Sequence, residues 1–291
     1  MIRQENLYAV VVWYHPTAEQ ARNLTSYMWA VGHTIVVDNS EQDNSDLLST
    51  LPKEGYTYIP LRDNKGIATA LNIGCKEAFA VGAEWVLTMD QDSEWDKKQL
   101  QYYIASANRY SELEQVGVFS PRQDYTGHAR HYAAEYEQKI AVMSSGCLLS
   151  KGGFDATQGF KDDWFIDEVD NEYCMHIHRL CMQVVIVNNA LLVHQLGEKR
   201  TIRFMGLWRK EYIDHAPFRY YYMVRNNLEL SRLYPEYKKY NCKRLQKMLK
   251  RIVLYDRRHK WASLRMCFRG WCAYRRSTFG RGHCHFALQA K

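Results

Sequence analysis

The sequence predicts an α/β fold: a doubly wound, mostly parallel sheet flanked by helices, followed by a helical, basic C-terminal extension. Three observations predict it. Over about the first 120 residues, short apolar runs alternate with helix-period stretches, the rhythm of βαβ units. Each apolar run stops at a polar cluster, as strands do where they enter turns. Charge is also segregated: residues 1–199 carry a net −11 and residues 200–291 a net +18, within the formal total of +7.

Leu7–Trp13 (LYAVVVW) reads as a buried strand leading to Tyr14-His15. Thr17–Val31 reads as a helix with Thr17 as N-cap after Pro16. Thr34–Val37 is a second strand, ending in Asp38-Asn39-Ser40, and Tyr56–Pro60 a third. After the turn Arg62-Asp63-Asn64-Lys65-Gly66, Ile67–Val81 reads as a helix. Trp85–Met89 is a fourth strand, halting at Asp90-Gln91-Asp92. Residues 140–155 read as a strand entering a small-residue turn, Trp164–Leu180 as an acidic helix, and Gln183–Val193 as a strand closing at His194. From about residue 200 the chain reads as helical. The spacing puts one helix over Pro217–Tyr234, with Pro235 just beyond it, and another over Arg244–Val253. The expected division is therefore 1–200 and 201–291.

Composition sets bounds. With 46% hydrophobic and 13% aromatic residues, the chain can bury a core and is not disordered by composition. Eight cysteines occur without a CxxC pair, which suits reduced thiols and argues against a structural zinc site. The N-terminus has no secretory signature, and no run of about 18 apolar residues occurs. The expectation is a cytoplasmic protein that does not span a membrane.

In open α/β sheets, ligands bind outside the carboxyl ends of the strands. Here those ends carry Tyr14-His15, Asp38-Asn39-Ser40, Asn64 and Asp90-Gln91-Asp92. Two carboxylates spaced as Asp90 and Asp92 also occur as plain turn residues; placed after an apolar strand, they suit a hard divalent cation, which takes oxygen ligands and keeps several waters. Such a cation, Mg²⁺ or Mn²⁺, stabilises charge on a diphosphate leaving group. Downstream, Asp167 and Asp170 are spaced i, i+3, so a helix would set them on one face, where mutual repulsion suits a general base. An acidic helix start alone accounts for Asp162, Asp163 and even Asp167; it accounts less well for Asp170 beside Trp164, Phe165 and Tyr173. His194 is either a structural histidine or a further metal ligand.

The ordered segments VVDNS, DNKGIATALNIG, WVLTMDQDS, SSGCLLS, FIDEVDNEYC, LLVHQLG and RYYYMVRN resemble the inverting GT-A glycosyltransferases of family 2. The likeness is to bacterial rhamnosyltransferases of O-antigen and surface polysaccharide assembly, over about residues 7–230. The resemblance implies transfer of a sugar from a nucleotide diphosphate donor to a glycan or lipid-linked acceptor. dTDP-rhamnose is the favoured donor, with UDP-galactofuranose or a UDP-hexose as alternatives. It implies that Asp38 contacts the nucleobase or ribose, that Asn64 and Gly66 flank the nucleotide with Asn72 supporting that wall, that Asp90 helps hold ribose and metal, and that Asp92, as principal ligand, and His194 hold the metal. It implies Asp170 as catalytic base, with Asp167, Glu172 and Trp164 supporting it or lining the acceptor site. The turn Ser144-Ser145-Gly146 would leave room for sugar, and Arg225-Asn226 matches a recurrent pair of unassigned role.

In the extension, Trp261, Leu264, Phe268 and Trp271 form an amphipathic stripe among Arg257, Arg258, Lys260, Arg265 and Arg269. That pattern suits either a helix lying on an anionic membrane surface or one packed on the protein with a solvated basic face. A nucleic-acid-binding reading explains this region but leaves the acidic strand ends unexplained, so no nucleic-acid partner is expected. A sugar nucleotidyltransferase would carry a Gly-rich phosphate loop where Trp13-Tyr14-His15-Pro16 stands.

Overall fold

The computed structural model describes residues 1–52, 54–124, 131–194, 199–204, 208–213, 215–256 and 258–282. The chain divides into two compact units: residues 1–162 with 169–195, and residues 163–168 with 196–291.

In the first unit the elements are β1 (Leu7–Trp13), α1 (Ala18–Arg22), α2 (Thr25–Met28), β2 (His33–Asp38), β3 (Tyr56–Pro60), α3 (Ile67–Ala80), β4 (Trp85–Asp90), β5 (Ser93–Glu94), α4 (Lys97–Arg109), β6 (Val116–Asp124), β7 (Tyr136–Gln138), β8 (Cys147–Ser150), α5 (Lys151–Thr157), α6 (Val169–Arg179) and β9 (Gln183–His194). Strand order across the sheet is β3-β2-β1-β4-β8-β6-β9-β5, with β7 added on β9. The β3-β2-β1-β4 half is parallel, as the βαβ rhythm predicts, while β8 runs antiparallel to both β4 and β6. β1 is apolar almost throughout because both of its faces are covered: Leu7, Ala9, Val11 and Trp13 join one core, and Val10 and Val12 are buried on the other face. The expected helix over Thr17–Val31 is instead two short helices; Thr17 caps α1, with its Oγ1 accepting from Gln20 N. The apolar pattern does not announce β6, because Gly117, Ser120 and Pro121 interrupt it.

The second unit contains a two-stranded antiparallel ribbon, β10 (Lys199–Phe204) and β11 (Trp208–Ile213), where the sequence reads as helical. Three helices follow: α7 (Pro217–Leu233), α8 (Lys238–Tyr255) and α9 (Lys260–Arg275). Their common core is Tyr220, Tyr221, Tyr222, Val224, Ile252, Met266 and Cys267. No helix among the described residues is long and apolar enough to cross a membrane.

Candidate active site at the carboxyl edge of the sheet

Register sets the site. Trp13 pairs with Asp38, Val12 with Asp90, and Asp38 with Pro60, so β1, β2, β3 and β4 end level at one edge. The segments leaving that edge are stitched together by side chains.

Asp38 is fully buried. Its carboxylate accepts from Ser40 N at 3.0 Å, Asn44 Nδ2 at 2.8 Å and Tyr58 OH at 2.6 Å, which closes the 39–44 loop over it. Burial, then the bond to Asp38, raises the Tyr58 phenol above its ordinary range. The expected contact of Asp38 with a nucleoside thus becomes a supporting role: it shapes the loop beside the site. Asn39 continues the edge, donating to Asn64 Oδ1 at 3.1 Å and accepting from Lys65 N at 2.8 Å. Asn64 Oδ1 also accepts from Gly66 N. Gly66 precedes α3 with φ of +87°, a conformation that favours glycine. Asn72 is one turn deeper in α3 and 3% exposed. Its amide bonds Phe160 O and Asp162 Oδ1, both at 2.7 Å, and accepts from Phe160 N at 2.8 Å. Both ends of the amide are engaged, so Asn72 fixes the 160–162 segment.

The Asp90-Gln91-Asp92 turn is half-buried and lies between β4 and β5. Asp90 N donates to Ser145 Oγ at 3.1 Å, and Ser145 Oγ donates to Ser93 Oγ at 2.7 Å. Ser145 is therefore fully buried under the turn. Gly146 has φ of +79°, and a Cβ there would meet Leu192 Cδ2 and Pro121 Cγ at 2.8 Å. Ser145 and Gly146 answer these backbone demands. β5 pairs antiparallel with β9, placing His194 opposite Ser93 in register, one residue from Asp92. The His194 side chain is outside the described residues.

The acidic stretch differs from the sequence expectation. The helix starts at Val169, because Phe165, Asp167 and Glu168 adopt positive φ of +62°, +63° and +64°. Asp167 is thus off the helix, in the second unit, where Arg219 grips it at 2.5 and 3.2 Å. Glu168 pairs in the same way with Arg244. Trp164 is fully buried and Glu172 is 5% exposed, so neither presents a surface to an acceptor. Asp170 remains half-buried in the first turn of α6, accepting at Oδ1 from Asn171 N at 2.8 Å. Burial pushes the Cys147 thiol of β8 well up, and Cys174, Asp170 and Asp90 add to that.

Residues 23–162 match the sequence model of the family described as Glycosyl transferase family 2. The chain is 28% identical over 247 residues to the dTDP-rhamnosyl transferase RfbF of Shigella flexneri, covering 78% of this chain and 80% of that protein. It is 33% identical over 116 residues to the galactofuranosyltransferase GlfT1 of Mycobacterium tuberculosis, 38% of each chain. Among solved structures, GalNAc-T7 with UDP, GalNAc and Mn²⁺ has a TM-score of 0.58 at 11% identity, over 79% of this chain and 48% of that one. S. aureus TarS 1–349 with UDP-GlcNAc has a TM-score of 0.52 at 16% identity, over 77% and 66%. The chain thus spans about half to two thirds of these structures' lengths, and at such identities the likeness shows the fold, of GT-A type.

Proposed function

We propose that the chain is a glycosyltransferase of family 2, the family whose model matches residues 23–162, and that it transfers rhamnose from dTDP-rhamnose, with inversion, to a hydroxyl of a glycan or lipid-linked acceptor. The likeness to RfbF supports the donor. The shorter likeness to GlfT1 supports UDP-galactofuranose as the second reading. The observation that carries the reading is the level ending of β1, β2, β3 and β4 at one edge, with Asp90 closing β4 there.

Asp90 and Asp92 offer carboxylate oxygens on a rigid turn, with His194 in register beside them. The two carboxylates fit Mg²⁺ or Mn²⁺, which take oxygen ligands and keep several waters. Bound there, the cation would offset charge on the departing diphosphate. Asn64 and Gly66, with the loop shaped by Asp38, border the nucleotide. Asp170 accepts the proton of the acceptor hydroxyl while that oxygen bonds to the anomeric carbon; the carbon's bond to the phosphate oxygen breaks, and its electron pair leaves with the nucleoside diphosphate.

The outward face of α9 carries Trp261, Phe268 and Trp271, which are 81%, 63% and 47% exposed, beside exposed Arg265, Arg269 and Arg275. Its opposite face, with Met266, Cys267 and Ala273, is buried. Aromatic and cationic groups on one face suit an anionic bilayer surface, where a lipid-linked acceptor resides.

A panel of nucleotide sugars with Mn²⁺ or Mg²⁺, scored by nucleoside diphosphate release and thermal stabilisation, tests the assignment. Turnover of dTDP-rhamnose, lost in Asp92→Ala, is expected. Turnover unchanged in Asp92→Ala would remove the metal assignment, and release from none of the sugars would remove the donor class.

A further inference from the structure

Between the two acids of the strand-end turn stands Gln91, a position where any turn-compatible residue would serve if the turn were only a connection. Its side chain does not point to solvent. Gln91 Oε1 accepts from Tyr14 N at 2.7 Å, and Gln91 Nε2 donates to Tyr14 O at 3.2 Å. The primary amide thus brackets both polar groups of one residue. In effect it adds a rung to the parallel β1–β4 ladder, whose last registered pair is Val12 with Asp90. The same Nε2 donates to Gln20 Oε1 at 3.3 Å, and Gln20 is part of the capping box of α1. The main-chain carbonyl of Gln91 accepts from Asn23 Nδ2 at 3.0 Å.

The turn is therefore held at its centre by Tyr14 and Asn23 and at its flanks by Ser145, which bonds Asp90 N and Ser93 Oγ. The tie runs on along the edge. His15, with φ of +48°, donates from its N–H to Ser40 Oγ at 2.8 Å, and Ser40 N donates to Asp38. Two carboxylates one residue apart repel each other, and a cation binds them best if the backbone already holds them together.

We propose that Gln91 is a positioning residue for the cation site: its amide, locked on the Tyr14 peptide, sets the turn that holds Asp90 and Asp92 ready for a divalent cation. The inference rests on the reading of those two acids as metal ligands. Loss of groups that orient metal ligands typically weakens metal affinity by about 10–100-fold.

The test is Mn²⁺ binding to the full-length protein with saturating dTDP, followed by the free-Mn²⁺ electron paramagnetic resonance signal. Wild type, Gln91→Met, Asn23→Ala and Asp92→Ala are compared, with thermal unfolding measured on each. Gln91→Met keeps the side-chain length but loses both amide bonds. It is expected to bind Mn²⁺ at least about tenfold more weakly than wild type while thymidine binding is unchanged, because a merely structural tie would lower thermal stability and leave the metal affinity alone. Mn²⁺ affinity within about twofold of wild type in folded Gln91→Met would overturn the proposal. If Gln91→Met does not fold, Asn23→Ala decides: weakened Mn²⁺ binding supports the proposal and unchanged binding overturns it. Failure of the underlying reading shows in other proteins. Wild type that binds no Mn²⁺ with dTDP, or Asp92→Ala that binds it as wild type does, overturns both.

Discussion

The Asn226 side-chain nitrogen lies 2.8 Å from the main-chain carbonyl of Asp167, a residue held at φ of +63°. The same nitrogen reaches the carbonyls of Trp164 and Ile166 at 3.1 and 3.0 Å. Arg225 adds bonds to Trp164 O at 3.1 Å and Gly280 O at 2.8 Å, and its guanidinium lies among the rings of Tyr221, Tyr222 and Phe279. Both side chains are fully buried. Left-handed backbone costs about 1–2 kcal/mol for a residue with a Cβ, and three such residues fall within four positions, none of them glycine. The Arg225-Asn226 pair is what keeps this segment from relaxing.

Asn226→Leu keeps the volume but leaves two carbonyls with no side-chain donor. It is expected to destabilise the protein by about 2–6 kcal/mol, at about 1–3 kcal/mol for each unsatisfied buried group. Urea unfolding measures this; a change below about 0.5 kcal/mol, the usual scale of a neutral surface substitution, would mean the carbonyls find other donors.

Asp170→Asn and Asp167→Asn should behave differently. The first is expected to reduce transfer by about 10²–10⁴-fold, the worth of a positioned general base, with donor binding retained. The second weakens the Arg219 pair and should lower stability with a much smaller effect on turnover per folded molecule. Single-turnover kinetics separate them. The opposite ranking would transfer the base assignment to Asp167.

His215 gives a pH dependence of stability. Burial, then the Arg219 and Arg251 charges, lowers its folded value to about 3. In the unfolded chain a histidine takes up its proton near pH 6.5. The unfolded state therefore binds more protons between those values, and stability is lost as pH falls below about 6.5. Each pH unit below that costs up to about 1.4 kcal/mol from this one group. His215→Gln should flatten the urea-unfolding free energy between about pH 6.5 and 4 relative to wild type; parallel curves would contradict it.

Trp261→Ser, Phe268→Ser and Trp271→Ser combined should reduce sedimentation with vesicles containing anionic phosphatidylglycerol, without changing dTDP binding. Truncation is a poorer test, since Arg244 of α8 pairs with Glu168 and Gly280 O accepts from Arg225. Equal vesicle binding by the triple variant would assign the exposed face another role.

Much of the first unit was legible in the sequence. A strand covered on both faces requires an unbroken apolar run, so Leu7–Trp13 reads with the bounds it has, and the half-buried edge strand Tyr56–Pro60 is legible from its aromatic and β-branched residues. Their polar stops, Asp38, Asn64 and Asp90, were readable because turns demand such residues. The role of Gln91 was not, since nothing local tells whether a glutamine amide faces solvent or a neighbouring peptide. β10 and β11 were read as helix because their Lys and Arg content matches the basic extension and obscures a strand period.

The sequence by itself determined the parallel sheet, its acidic edge and the separation of acidic from basic halves, because these follow from hydrophobic period, turn chemistry and charge count. Tertiary structure alone decided which acids are engaged elsewhere. Asp167 looks like a helical partner of Asp170 until Arg219 and Asn226, more than 50 residues later, hold its backbone left-handed and its carboxylate paired. The physical reason is that conformation at such a residue is set by donors from distant chain, which outweigh the local preference for helix.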